Sequence, residues 1–596
     1  MSSAQKWQAI PLVSDAIKQA GFTGGEGCQV IQAIEIDHTD GSFLLMGTDV
    51  GGIYRSIDGG KNWSPCNIGY SPRGNAGFAI DPNNNKRALA VGGNSISNES
   101  HGLYLTTDMG ASWKHVLVES NYHGYRSFFD KVEFVKGSFD QNLGYSTKAY
   151  WANPAGGIFR SDNGGLTWSK VNATYGNCLL KVHPKKGDVY IANKDGFFKS
   201  TDGGQTFSKK LSEDITDMDV IVTRADEVYL TTANKLLKST DGGETFNQII
   251  TSTLPTNVVS LNISPSDPNF MVLCFKENDW GGPIYYSHDA GLTWNLSTRS
   301  NTHAFMPYNT RFQKFTWHPT DKQKVWALGG DWISGSKDGG VNFSWDSNGY
   351  NGILVGGHIN FNIQNPDLLF IASQDYNGAF TADNGKTWLY CNASNLGWGG
   401  FTYGAYAASE KVLVTQNSPG WNQDGKLTIS RDGGKTFTES SLMCTGLDVG
   451  CGDPKDPNVI YFSNYVSYDL GDSWSPMNGC KGVFIANLFG EQEVYGGNGK
   501  DVVKSTDKGI TWKVVKTMAY DVVDVAVDHF SGKLYIVTSG DRLYKLEGSA
   551  LTEITSATPV DQYGNRPITS VAVDPQDPKI VYAAGAEKCI QIRCKY

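Results

Sequence analysis

No run of eighteen or more apolar residues occurs in this 596-residue chain, which excludes a membrane-spanning helix. The opening "MSSAQKWQAI" lacks a basic segment followed by an apolar one, so no secretory leader is read there. That alone points to the cytosol, unless a leader was exchanged for an expression start. Basic residues are few: 51 Lys and Arg against 60 Asp and Glu give a net charge of −9. No basic patch stands out to neutralise phosphates, which argues against a nucleic-acid partner. The 10 cysteines form no C-x-x-C pair, so neither a zinc site nor redox chemistry is expected. Cys444 and Cys451 are near enough in sequence for a local disulfide to be considered. Long helical runs are scarce, whereas glycine (69 residues) and aromatics (12 %) are plentiful. This favours an all-β chain with many tight turns. The length exceeds one ordinary core and implies two or more domains.

What is present is a repeat. The pattern S-x-D-x-G-x-T-W recurs with small variations, starting at Ser56, Thr106, Ser161, Ser200, Ser239, Ser287, Ser336, Thr381, Ser430, Ser467 and Ser505. "STDGGQTF", "STDGGETF" and "SRDGGKTF" are the cleanest copies, and "SDNGGLTW" carries Asn163 in place of the Asp. Asp and Ser side chains can hold a tight turn by bonding nearby N–H groups, and the closing aromatic can pack on the neighbouring repeat. The pattern resembles the Asp-box, or BNR repeat, of β-propellers, which makes these aspartates structural. Upstream of each box lies a pair of apolar segments split by a Pro/Asp/Asn turn, as in "SLNISPSDPNFMVLCF" and "SVAVDPQDPKIVYAA". That is a hairpin signal, and each unit then supplies about four strands, one propeller blade.

Thirteen such pairs can be counted, from one near Ala33 to one near Thr569. One ring of thirteen blades would exceed the usual four to eight. The expected architecture is therefore two propellers: a seven-bladed one over residues 1–350 and a second over 351–596, which looks one blade short. The last pair has no box after it. The segment Lys6–Leu12 reads as a strand of the kind that follows a box, and is expected to complete the first ring by pairing with its last blade.

Two stretches stand apart from the repeat. "GTDVGGIYRS" contains Asp49 and "SQDYNGAFTA" contains Asp375; both read D-x-x-G-x-[YF]. They fall seven units apart, after the second strand of the first blade in each proposed ring. "GTDVGGIYRS" resembles the opening motif of glycoside hydrolase family 74, the xyloglucanases and related reducing-end cellobiohydrolases. The resemblance implies two seven-bladed propellers facing each other across an open cleft. It also implies inverting hydrolysis by two aspartates, one from each ring, with Asp49 as base and Asp375 as acid. Asp49 matches through "TDVGG" and Asp375 through "QDYNG", where Asn377 replaces the first Gly. Inversion requires one carboxyl to protonate the leaving oxygen while the other activates water. The implied substrate is a neutral β-1,4-glucan such as xyloglucan, and the implied setting is extracellular. No cofactor, metal or membrane partner is expected, and the chain is expected to be a monomer.

A sugar cleft also needs aromatic faces. Non-box aromatics near glycine-rich loops include Trp151, Trp280, Trp332, Tyr376, Trp398, Phe401 and Trp421, with Trp398 and Trp421 the best platforms. "NYHGYRSFFD" brings together His123, Tyr125 and Arg126, residue types that uronate-specific lyases on propeller folds use to neutralise a carboxylate and abstract a proton. A polysaccharide lyase is thus the enzymatic alternative, and His303 and His358 could line the same cleft. A sialidase would need an arginine triad, a Tyr–Glu nucleophile and an early "RIP"-like segment; no such segment occurs, and the repeat number is too high for one six-bladed ring. A non-catalytic glycan-binding or assembly scaffold is the third reading, since fold does not fix function.

Overall fold

A computed structural model describes residues 8–9, 31–49, 51–72, 74–93, 100–119, 132–251, 254, 256–276, 282–300, 314–328, 333–346, 359, 361–372, 378–385, 387, 389–391, 404–418, 423–487, 492–555, 568–585 and 588–593. Among these the regular elements are β-strands, apart from one short 3-10 turn at Lys136–Ser138. The strands group into antiparallel sheets, mostly of four consecutive strands. Chain contacts separate two units: Thr23–Ala304 with Tyr308–Gly352, and Ile353–Tyr596 with Met1–Phe22 and Phe305–Pro307. Twelve of the thirteen hairpin starts read from sequence lie within three residues of the first strand of a sheet. The thirteenth, His358, lies outside the described residues.

Within the first unit each sheet's first strand touches the first strands of the sheets before and after it. These contacts run from Ile31–Ile36 through Gly74–Ile80, Val132–Phe134, Leu179–Val182, Asp217–Val220, Val258–Ile263 and Lys314–Trp317, then back to Ile31–Ile36. Seven sheets therefore close a ring, the architecture of a seven-bladed propeller. Because the sheets pack on both faces, their second strands are buried nearly throughout rather than alternating. Leu44–Thr48 and Ala88–Gly93 are buried at every position. The fourth strands lie at the rim and are at least partly exposed, as in Lys114–Val118 and Ser208–Leu211. Several of the turns after the first strands are held by the Asp or Asn that opens them. Asp453 Oδ1 accepts the N–H groups of Lys455 and Asp456, and Asp574 repeats the arrangement with Gln576 and Asp577.

In the second unit six sheets fall among the described residues. The last of these corrects one expectation. Its fourth strand is Gln8–Ala9, which pairs antiparallel with Lys588–Arg593 through Gln8 opposite Gln591 and Ala9 opposite Ile590. The N-terminal strand thus completes the last sheet of the second unit and not the last blade of the first. The first ring needs no such help, because its seventh sheet already has its own fourth strand, Asn342–Trp345, and a fifth, Thr298–Ser300, lying parallel to it. Cys444 and Cys451 are both free and buried. Cys444 ends the rim strand Thr438–Cys444 of one sheet and Cys451 sits in the innermost strand Gly450–Gly452 of the next, so no local bridge forms between them.

The eight-residue turns are alike in all eleven copies. The Ser or Thr hydroxyl donates to the third residue's Oδ1 and accepts the N–H of the fifth, as in Ser200–Asp202 (2.8 Å) and Gly204–Ser200 (2.9 Å). Asp202 also accepts the N–H and hydroxyl of Thr206. Asn163 preserves the turn by reversing one bond: its Nδ2 donates to Thr167 Oγ1 (2.7 Å), while its Oδ1 still accepts the Thr167 N–H (2.9 Å). The closing aromatic reaches the preceding blade, as where Trp113 Nε1 donates to the Cys66 carbonyl (2.9 Å). The hydroxyl and N–H of Thr206, first among the donors around it, hold the Asp202 carboxyl down to about 2 from an ordinary 3.8. A carboxylate held below its unfolded value stabilises the fold above that value and loses the effect as pH falls through the folded one. Asp202→Asn should therefore lower the urea midpoint at pH 7, and the deficit should shrink between about pH 4 and pH 2. A deficit that stays constant across that window would contradict the assignment.

Candidate active site

Asp49 leaves the fully buried strand Leu44–Thr48 at the turn before Ile53–Ser56. The turn is closed from within. Thr48 donates its N–H (3.0 Å) and its hydroxyl (3.0 Å) to the Gly52 carbonyl, and its Oγ1 accepts the Gly51 N–H (2.8 Å). Gly52 has φ +72°, and a Cβ there would overlap the carboxamide of Asn67. Asn67 Oδ1 meanwhile accepts the Ile53 N–H (2.7 Å). Asp49 is fully buried at this position. Thr48 pairs with Ile31, the first residue of the innermost strand, so the turn lies at the end of the ring where innermost strands begin.

The opposite end of the first ring's axis holds a cavity of about 120 Å³, bounded by the later residues of all seven innermost strands. Much of its charged lining is paired: Lys181 with Glu133 (2.8 Å), His38 with Glu35 (3.2 Å), and Asp219 with Asn262 (3.3 Å). Burial alone would lower the His38 pKa, but the Glu35 hydrogen bond and the charges of Glu35 and Glu133 raise it overall. The pairs tie blade 3 to blade 4 and blade 5 to blade 6, while His38–Glu35 lies within blade 1. The cavity is separate from Asp49.

Asp375 lies outside the described residues, but the strands that flank it in sequence do not. Leu369–Ile371 and Ala379–Thr381 pair antiparallel, and Thr381 opens an eight-residue turn as Ser56 does in blade 1. Tyr376, Trp332, Trp398, Trp421, His123, Tyr125 and Arg126 lie outside the described residues, as do Trp280, Phe401, His303 and His358. Trp151 is described and is no platform: it is fully buried between the second and third sheets. Among the described residues no group of three His, Cys, Asp or Glu is placed to hold a metal ion, and no helix is long and apolar enough to cross a membrane.

Asn67 and Asn75, which brace the Asp49 turn, were not singled out from sequence. Neither belongs to a repeat motif, and only the fold brings them to the turn. Thr48 could have been found, because a Thr before an Asp and ahead of two glycines is a turn-closing signal.

Searched against known families, the chain matches no family model. It is 28 % identical over 142 residues to the xyloglucanase Xgh74A of Acetivibrio thermocellus, a match covering 21 % of this chain and 16 % of that protein. It is 26 % identical over 187 residues to a xyloglucanase of a Paenibacillus species, covering 29 % and 18 %. The matched segments thus span less than a fifth of either relative. Likeness to solved structures extends over nearly the whole chain. A family 74 enzyme of Niastella koreensis superposes with a TM-score of 0.54 at 16 % identity, covering 96 % of this chain and 99 % of its own. The family 74 xyloglucanase of Xanthomonas campestris gives 0.53 at 15 % identity, covering 99 % and 100 %. An ancestral family 74 enzyme gives 0.56 at 14 % identity, covering 99 % of each. The fold is therefore that of the family 74 glycoside hydrolases, as the sequence resemblance implied.

Proposed function

We propose that this chain is an inverting glycoside hydrolase that cleaves the β-1,4-glucan backbone of xyloglucan, with Asp49 as general base and Asp375 as general acid. The observation that carries the reading is a duplication. D-x-x-G-x-[YF] stands between the second and third strands of the first blade in the first ring, and between the corresponding strands at the start of the second unit. A turn aspartate of the repeat would recur in every blade; a catalytic pair drawn one from each ring would occur twice. In the reaction Asp375 gives its proton to the glycosidic oxygen as the bond to the anomeric carbon breaks. Asp49 takes a proton from the water that attacks that carbon on the opposite face, so the configuration inverts. The likeness in fold to family 74 enzymes and the partial matches to two xyloglucanases support the choice of polymer.

The test is incubation with a panel of neutral and uronate polysaccharides. New reducing ends from xyloglucan, without absorbance near 235 nm, are expected. Absorbing products from a uronate polymer would replace this reading with a lyase, and no change in any glycan would replace it with a scaffold.

A further inference from the structure

The Asp49 turn is clamped on both stems by carboxamides that do not belong to it. On the outgoing stem Asn67 comes from the connection between the first and second blades, fills the space beside Gly52 and takes the Ile53 N–H (2.7 Å). On the incoming stem Asn75 comes from the innermost strand of the second blade and fills the space beside Gly47, where any Cβ would overlap it. Asn75 is itself locked. It lies 1 % exposed at the irregularity between Asn75 and Gly77, where its Nδ2 donates to the carbonyls of Val91 (3.2 Å) and Gly77 (3.3 Å) and its Oδ1 accepts the Gly77 N–H (3.1 Å). Tyr70 backs the clamp. Its hydroxyl donates to the Gly74 carbonyl (2.8 Å), and its ring packs on Tyr104 at 4.8 Å.

The fourth and fifth blades do without this. The corresponding turn of the fourth blade is closed by its own Asn193, which accepts the Asp195 N–H (2.8 Å), and that of the fifth by its own Thr232, which accepts the Lys235 N–H (3.0 Å). Burying a carboxamide costs free energy unless every group is bonded, so apolar packing would be the cheaper way to fill the same space. Two imported carboxamides at one turn therefore serve its geometry and not merely its burial.

We infer that Asn67 and Asn75 are positioning residues, which fix the Asp49 turn from the neighbouring blade so that the carboxylate is held at one place and angle. This rests on the hydrolase reading and deepens it: the second blade and its leading connection belong to the active-site support. Misplacement by about 1 Å can cost about 100-fold in rate.

The experiment measures kcat and KM on xyloglucan, together with thermal midpoints, for Asn67→Ala, Asn67→Asp and Asp49→Asn. Asn67→Ala should lower kcat by about 10- to 100-fold with KM within about twofold. Asn67→Asp keeps an acceptor for the Ile53 N–H and should regain most of that loss. If Asn67→Ala does not accumulate as folded protein, Asn67→Ser reads the same split. Unchanged kcat in Asn67→Ala beside an inactive Asp49→Asn would overturn the positioning role and leave the hydrolase reading standing. So would a loss that follows the folded fraction and is not regained in Asn67→Asp. Full activity in Asp49→Asn would instead remove the reading on which the role depends.

Discussion

Asp49→Asn and Asp375→Asn are each expected to lower turnover on xyloglucan by about 10²–10⁴-fold, the usual worth of a positioned acid or base. Asparagine keeps the size and shape of the side chain but cannot carry the proton. The bonds that close the Asp49 turn from within run between Thr48, Gly51 and Gly52, and Asp49→Asn leaves those in place. The loss should therefore appear in kcat per folded molecule. Product configuration is an independent check. An inverting enzyme releases the α-anomer from a β-glucan, and nuclear magnetic resonance during the first turnovers distinguishes it from the β-anomer before mutarotation. Initial release of the β-anomer would exclude the water-activating role of Asp49. Retained turnover in either Asn variant would exclude the pair.

Trp151→Ala should have the largest effect on stability of any single change considered, about 3–5 kcal/mol, the typical cost of emptying a buried tryptophan site. Trp151 is fully buried, packs at 5.3 Å against Phe159, and lies in a cluster with Leu89, Val91, Leu103, Val132 and Phe134. These residues come from two adjacent sheets, so the cavity would open between blades, where neither sheet can collapse without moving the other. The change should be read as a fall in denaturation midpoint, with kcat per folded molecule nearly unaltered. A fall in cleavage with no loss of stability would return Trp151 to the list of substrate-facing aromatics.

The fold was legible because the repeat is written in turn chemistry. A Ser hydroxyl, an Asp carboxylate and two glycines must occur at fixed offsets for the turn to close, and those offsets survive any change in the strands between them. Even the odd copy with Asn163 closes, since a carboxamide can exchange one acceptor for a donor. The hairpin starts were legible for a related reason: apolar runs interrupted by Asp-Pro or Asn-Pro leave few alternatives. What could not be read was anything depending on which sheet a strand joins. The segment near Gln8 looked like a fourth strand, and it is one, but its amphipathic pattern carries no address. Only pairing with Gln591 and Ile590 reveals its sheet. Trp151 failed for another reason. A tryptophan beside glycines reads alike whether the glycines form an open loop or allow two sheets to approach, and here its own strand, Ala149–Asn153, is buried at every position. The turn aspartate Asp49 was legible from its motif; the asparagines that brace it were not, because they lie in sequence stretches with no repeat or motif of their own.

The pairing of Gln8–Ala9 with Lys588–Arg593 has a consequence for how the chain is made. Synthesis delivers the rim strand of that sheet long before its partner. The first ring can fold as its blades emerge, each on the one before. The last sheet of the second unit must wait until Lys588–Arg593 has left the ribosome. Through that interval the early segment is an unclaimed strand edge, the sort of surface that attracts neighbouring chains. The same pairing decides the response to force. Tension applied between Gln8 and Arg593 loads this rim ladder directly, so a sheet that closes late in synthesis is an early one to open under load.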